Sequence, residues 1–179
     1  MNNIPQTATF GGGCFWCTEA FFRKLKGVIS VKPGYSGGDI VDPSYEDVCT
    51  GKTGHAEVIQ IEFDPDEISY EKLLDVFFHT HNPTTLNRQG GDKGTQYRSV
   101  IFYHDENQKK VAEKYISDLK AKKEFADEIV TDVLPLKNFY ESEDYHKNYF
   151  EKNQNAPYCE FIIAPKVDSL KKKYPNLLQ

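Results

Sequence analysis

Apolar positions recur along this chain in short runs of period two and in longer stretches of period near 3.6, so strands and helices should alternate. The run Ala8-Thr9-Phe10, then Gly11-Gly12-Gly13, then an amphipathic stretch over 18–25, predicts strand, glycine turn and helix. Residues 27–31 read as a second strand, and 32–38, with Pro33 and three glycines, as the turn that ends it. Residues 42–49 look like a short helix or turn with Asp42 as cap and Pro43 in the first position. The clearest strand covers 55–63, with Ala56, Val58 and Gln60 on one face and Glu57, Ile59, Ile61 and Phe63 on the other. Glu57 therefore shares a face with three large apolar residues, and either reaches solvent at a rim or is buried with a raised pKa.

A helix over 69–78 ends in His79-Thr80-His81-Asn82-Pro83 and is followed by a long polar loop over 84–97. A strand over 98–103, a lysine-rich helix over 106–122, a strand over 128–134 and a short aromatic helix over 142–150 complete the periodic part. From 151 on the pattern is weak, which predicts an irregular C-terminal tail carrying Cys159. There are no repeats. Together these elements predict one domain over 1–179, a two-layer α/β sandwich.

Composition narrows the function. The chain has 179 residues, 39% of them apolar and 27% charged, ordinary values for a globular protein that needs no staples. Net charge is −5 and the lysines are scattered, which argues against a nucleic-acid partner. No apolar run suits a membrane helix, and Met1–Gln6 lacks the basic and apolar parts of a signal peptide, so a cytoplasmic location is expected. Four cysteines in a reducing compartment point to chemistry more than to structural disulfides.

The first of them, Cys14, falls where a helix should begin, beside Phe15 and Trp16, the only tryptophan. Unpaired N–H groups and the positive end of the helix dipole favour a thiolate there, whereas a free cysteine is only roughly 3% ionised at pH 7. Other readings remain open on this stretch alone. Cys14 could be a small buried hydrophobe. Cys14 and Cys17 could form a thioredoxin-like dithiol, or bind zinc with His79 and His81, although a second close-spaced ligand pair is missing. Cys49, on an apolar-flanked short helix, reads as structural.

Several separated stretches together resemble the type A peptide methionine sulfoxide reductases: Gly13-Cys14-Phe15-Trp16, Tyr45, Gly54-His55-Ala56-Glu57-Val58, Asp92-Lys93-Gly94-Thr95-Gln96-Tyr97-Arg98-Ser99, Tyr145-His146 and Tyr158-Cys159. The resemblance implies a ferredoxin-like core with long coil excursions, no cofactor and no metal. It implies reduction of the S epimer of methionine sulfoxide, free or in proteins, with thioredoxin as reductant. Cys14 would attack the sulfoxide sulfur, Phe15 and Trp16 would wall the methyl group, and Glu57 would protonate the oxygen. Tyr45 and Tyr97 would donate to that oxygen, and Asp92 would order the polar side. The lack of a large apolar surface run suggests a monomer.

The residue types suit the chemistry. A sulfoxide S–O bond breaks only when its oxygen is protonated or strongly hydrogen-bonded, so an acid with a pKa near working pH is needed. Two phenols beside it are neutral donors where charge develops. The resulting sulfenic acid on Cys14 must then condense with a second thiol. Cys17, one helical turn on, and Cys159 in the tail are both available, as a direct Cys14–Cys17 bond or a relay that ends at Cys159.

Overall fold

A computed structural model describes residues 4–179. Residues 1–3, part of the N-terminal stretch that lacks signal-peptide character, lie outside the described residues. Strand β1 (Gln6–Gly12) leads into helix α1 (Phe15–Phe22), followed by β2 (Val28–Ser36), α2 (Tyr45–Cys49), β3 (Ala56–Phe63) and α3 (Tyr70–Thr80). A small ribbon, β4 (Arg88–Gln89) and β5 (Asp92–Lys93), precedes β6 (Ser99–Tyr103), α4 (Glu106–Ala121) and β7 (Asp132–Pro135). The chain closes with β8 (Tyr140–Glu141), α5 (Tyr149–Lys152) and α6 (Ala164–Lys173).

The main sheet runs β7-β6-β1-β3-β2-β8. Its central four strands, β6-β1-β3-β2, are antiparallel throughout, and α1 and α3 supply the connections. That is the ferredoxin-like β-α-β-β-α-β order. One face carries Phe10, Ile59, Ile61 and Phe63 against Phe21 and Phe22 of α1 and Leu73, Leu74 and Phe77 of α3. The other carries Ala56, Val58, Val100 and Phe102 under Leu136 and Phe139. The alternation along β3 thus separates its faces as expected, and Glu57 lies on the helix side.

Several elements differ from the sequence expectation. Strand β2 continues through Pro33 and Gly34 to Ser36, where a turn was expected. Proline fits because the Pro33 carbonyl faces away from β3 and accepts the Ser142 N–H, so its missing N–H subtracts nothing from the β2–β3 ladder. The strand expected over 128–134 is confined to Asp132–Pro135, parallel to β6, while Ile129 is buried from a coil. The aromatic helix over 142–150 is instead a 3-10 turn at Asp144–His146 followed by α5. The irregular tail is also corrected: Cys159–Ile163 form a π turn that runs into α6, with Ile163, Val167 and Leu170 packed into the core.

Candidate active site

The glycine turn sets Cys14. Gly13 has φ +90°, and a Cβ there would stand 2.8 Å from the Gln89 Cβ, so the β4–β5 ribbon packs where a side chain would be. Gly13→Ala should therefore cost about 1–3 kcal/mol of stability in denaturant unfolding. Cys14 caps α1 with extended dihedrals, and its carbonyl accepts the Cys17 N–H at 3.1 Å. Cys14 and Cys17 thus hold the N-cap and N3 positions, whose side chains meet across a first helical turn.

Glu57 is 2% exposed. Its Oε1 accepts the Phe15 N–H at 3.2 Å, one residue from Cys14, while buried Oε2 has no protein partner. Burial, reinforced by Asp92 and Cys17, pushes its pKa up to about 8, against the smaller pull of the Phe15 N–H. Of the two positions open to a glutamate on this face of β3, the buried one is realised. Cys14 departs from expectation in the other direction. Burial, then its hydrogen bond with Cys17 and the Glu57 charge, hold the Cys14 thiol well above its usual pKa, so desolvation outweighs the helix terminus in the free protein. Cys17 is lowered, chiefly by the Cys14 hydrogen bond.

Phe15 is fully buried, stacked on Tyr45 and tilted against Tyr35 and His146, and can only back an aromatic wall. Trp16 is the partly open ring. Its face stacks on Tyr149 at 3.8 Å, and its Nε1–H donates to His146 Nδ1 at 2.9 Å. Tyr45 lies against the Phe15, Trp16 and His146 rings, and its N–H donates to Glu143, which also accepts the Tyr35 hydroxyl. Burial and the charges of Glu57, Asp92 and Cys14 raise the Tyr97 phenol, while burial and Glu57 raise that of Tyr45, keeping both neutral donors.

Asp92 accepts the Tyr158 hydroxyl at 2.7 Å, and that same oxygen stands 3.8 Å from the Cys17 sulfur. Cys159 is fully buried, and burial, then the charge of Cys17, raises its thiol pKa. All four cysteines are free. Cys49 is exposed at the end of α2, which does not fit a core role. A cavity of about 360 Å³ opens beside Cys14 and Cys17, walled by Asp92, Tyr158, His81 and Lys166. Glu57, Tyr45 and Tyr97 do not line it.

The histidines considered as zinc ligands are engaged elsewhere. His79 lies between Asp75 and Glu124, and His81 between the Phe77 carbonyl and Ser99. Among the described residues no group of three or more His, Cys, Asp or Glu side chains is arranged to hold a metal.

The peptide methionine sulfoxide reductase family model matches residues 6–178. The chain belongs to that family. It is 55% identical over 171 residues to the peptide methionine sulfoxide reductase MsrA of Sulfolobus acidocaldarius, covering 96% of each chain. It is 53% identical over 174 residues to that of Acinetobacter baumannii, covering 97% of this chain and 99% of the relative. Among solved structures it resembles reduced Mxr1 from Saccharomyces cerevisiae, with TM-score 0.81, 39% identity and 87% and 89% of the two chains covered. It also resembles Mxr1 in complex with Trx2, with TM-score 0.57, 29% identity, and 81% and 84% covered.

The chain is accordingly a methionine sulfoxide reductase with a mixed α/β fold. Among the described residues no helix is long and apolar enough to cross a membrane. Three residues around this reductase's site received no role from the sequence: Tyr149, which covers Trp16, Tyr158, which bridges Asp92 and Cys17, and Glu19. The Glu19 carboxylate is buried in α1 and accepts the Asn148 N–H at 2.7 Å, fixing the segment that carries His146 and Tyr149. The signal for Tyr158 was its place directly before Cys159.

Proposed function

We propose that the reductase acts on the S epimer of methionine sulfoxide, free or in proteins, with Cys14 as nucleophile and Glu57 as acid. The observation that carries this reading is Glu57 itself: a carboxyl 2% exposed, adjacent to the Cys14 turn, with one oxygen unpartnered and a pKa of about 8. At pH 7 roughly nine-tenths of it is protonated. Its proton goes to the sulfoxide oxygen as the Cys14 sulfur attacks the sulfoxide sulfur. The positive charge that then builds on the substrate favours loss of the Cys14 proton, which a raised resting pKa otherwise opposes. In the adduct the hydroxyl moves from the substrate sulfur to the Cys14 sulfur as the substrate S–O bond and the transient S–S bond break. Methionine thus leaves as the thioether, Cys14 is left as S–OH, and the Cys14 proton replaces the one Glu57 gave up. Tyr45 and Tyr97 donate to the moving oxygen, and Trp16, backed by Phe15, holds the methyl group.

Cys17 then closes a disulfide with Cys14, and Cys159 receives it in a relay whose outer disulfide thioredoxin reduces. The Mxr1–Trx2 complex among the similar structures supports a thioredoxin as the reductant. The test is a single turnover without added reductant, using the S and R epimers separately. Methionine from the S epimer only, with thiols lost in pairs, is the expected result, and no methionine from either epimer would refute the assignment. The methionine-forming step should be flat up to about pH 8 and fall about tenfold per unit above it, as Glu57 ionises.

A further inference from the structure

The cavity beside the two cysteines carries a charge that the mechanism so far leaves idle. Cys17 interacts electrostatically with titratable groups on several elements: Cys14 at the start of α1, Glu57 on β3, Asp92 on β5, Tyr158 and Cys159 on the turn before α6, and Lys166 on α6. Glu57 is held neutral, and Asp92 is engaged as acceptor of the Tyr158 hydroxyl. His81, on the same cavity wall, is buried with its pKa pushed down to about 4, so it adds no charge at neutral pH. Among the described residues Lys166 is then the only lysine or arginine lining the cavity, and no ion pair engages it. Its backbone is fixed, because Ile163, Val167 and Leu170 on either side are buried in the core.

We propose that Lys166 is a positioning residue for disulfide formation, its ammonium holding Cys17 as the thiolate that attacks oxidised Cys14. This rests on the reading of Cys17 as the resolving cysteine. In the step, a Cys17 lone pair forms the S–S bond, the S–O bond of the Cys14 sulfenic acid breaks, and hydroxide leaves, taking the Glu57 proton to become water. The Cys14 sulfur is reduced and the Cys17 sulfur oxidised, with no outside reagent. In the reduced protein Cys17 is lowered first by its hydrogen bond with Cys14, with Lys166 and the Tyr158 hydrogen bond also pulling down against burial and the Asp92 charge. Oxidation of Cys14 consumes the thiol that makes that hydrogen bond. The Lys166 charge stays, and so acts at the moment when Cys17 must be ionised.

The experiment is a single turnover of the full chain with the S epimer between pH 5.5 and 9.5, timing methionine formation and paired thiol loss separately. Wild type, Lys166→Gln, Lys166→Arg and Cys17→Ser are compared. Lys166→Gln should move the pH midpoint of thiol loss up by about half a unit and slow that step about threefold at pH 7. Lys166→Arg, which keeps the charge, should restore both. An unchanged midpoint in Lys166→Gln, or a shift that arginine does not rescue, overturns the role of Lys166 alone. Paired thiol loss at the wild-type rate in Cys17→Ser would remove the resolving assignment instead, and this proposal with it.

Discussion

Glu57→Gln should slow methionine formation by about two to three orders of magnitude, the usual contribution of a positioned general acid. The substitution is nearly isosteric, and the amide oxygen can still accept the Phe15 N–H, so the Cys14 turn keeps its support. What is lost is the acidic proton on the unpartnered oxygen. Tyr45 and Tyr97 remain as weaker donors and account for the residual rate. Stopped-flow measurement of the first turnover checks this, and a variant within tenfold of wild type would move the acid to another group.

The same substitution should change stability in a pH-dependent way. Glu57 has a folded pKa of about 8, raised by burial above its ordinary 4.5. Below pH 4.5 both states are protonated and nothing is lost. Between the two values the unfolded chain ionises while the folded one does not, so stability falls as pH rises, by as much as ~5 kcal/mol in total. Glutamine lacks that slope. Denaturant unfolding should find the variant close to wild type at pH 4 and more stable at pH 9.

Glu57 also shows what a sequence can and cannot carry. Its alternation with Ile59, Ile61 and Phe63 places it on the helix-facing side of β3, where the structure has it. Whether it sits at a rim or deep inside depends on α1 and the aromatic rings closing over it, which no local pattern encodes. The position of Cys14 at a helix start is legible from the glycines, whereas its raised pKa is not, because desolvation depends on the whole surround. The tail looks irregular in sequence for a different reason. Ile163, Val167 and Leu170 recur at helical spacing, and Pro165 marks a helix start, but a π turn just before them and the lysines between hide the period. In sequence, strand β2 reads as ending early because Pro33 and Gly34 look like a turn, and only the pairing partner reveals that the proline nitrogen faces away from β3.

Cys17→Ser should reduce thioredoxin-supported turnover by at least about a hundredfold, because the sulfenic acid on Cys14 then has no thiol within reach. The N-cap and N3 positions of α1 bring Cys14 and Cys17 together without moving the backbone far. Cys159 sits on a separate element, not on the Cys14 turn. It is fully buried in a π turn, Tyr158 before it is tied to Asp92, and Ile163, Val167 and Leu170 anchor the turn and α6 in the core. Attack by Cys159, whether on Cys14 directly or on the Cys14–Cys17 disulfide in the relay, would require that turn to loosen. The Cys17→Ser protein should therefore still yield methionine once per chain and then stop, with a dimedone-reactive sulfur at Cys14 identifiable by peptide mass. Cys159→Ser should form the Cys14–Cys17 disulfide within a turnover and be impaired only in its reduction. The opposite pattern, normal turnover without Cys17 and a trapped sulfenic acid without Cys159, would mean that the tail opens during catalysis and that Cys159 resolves Cys14 directly.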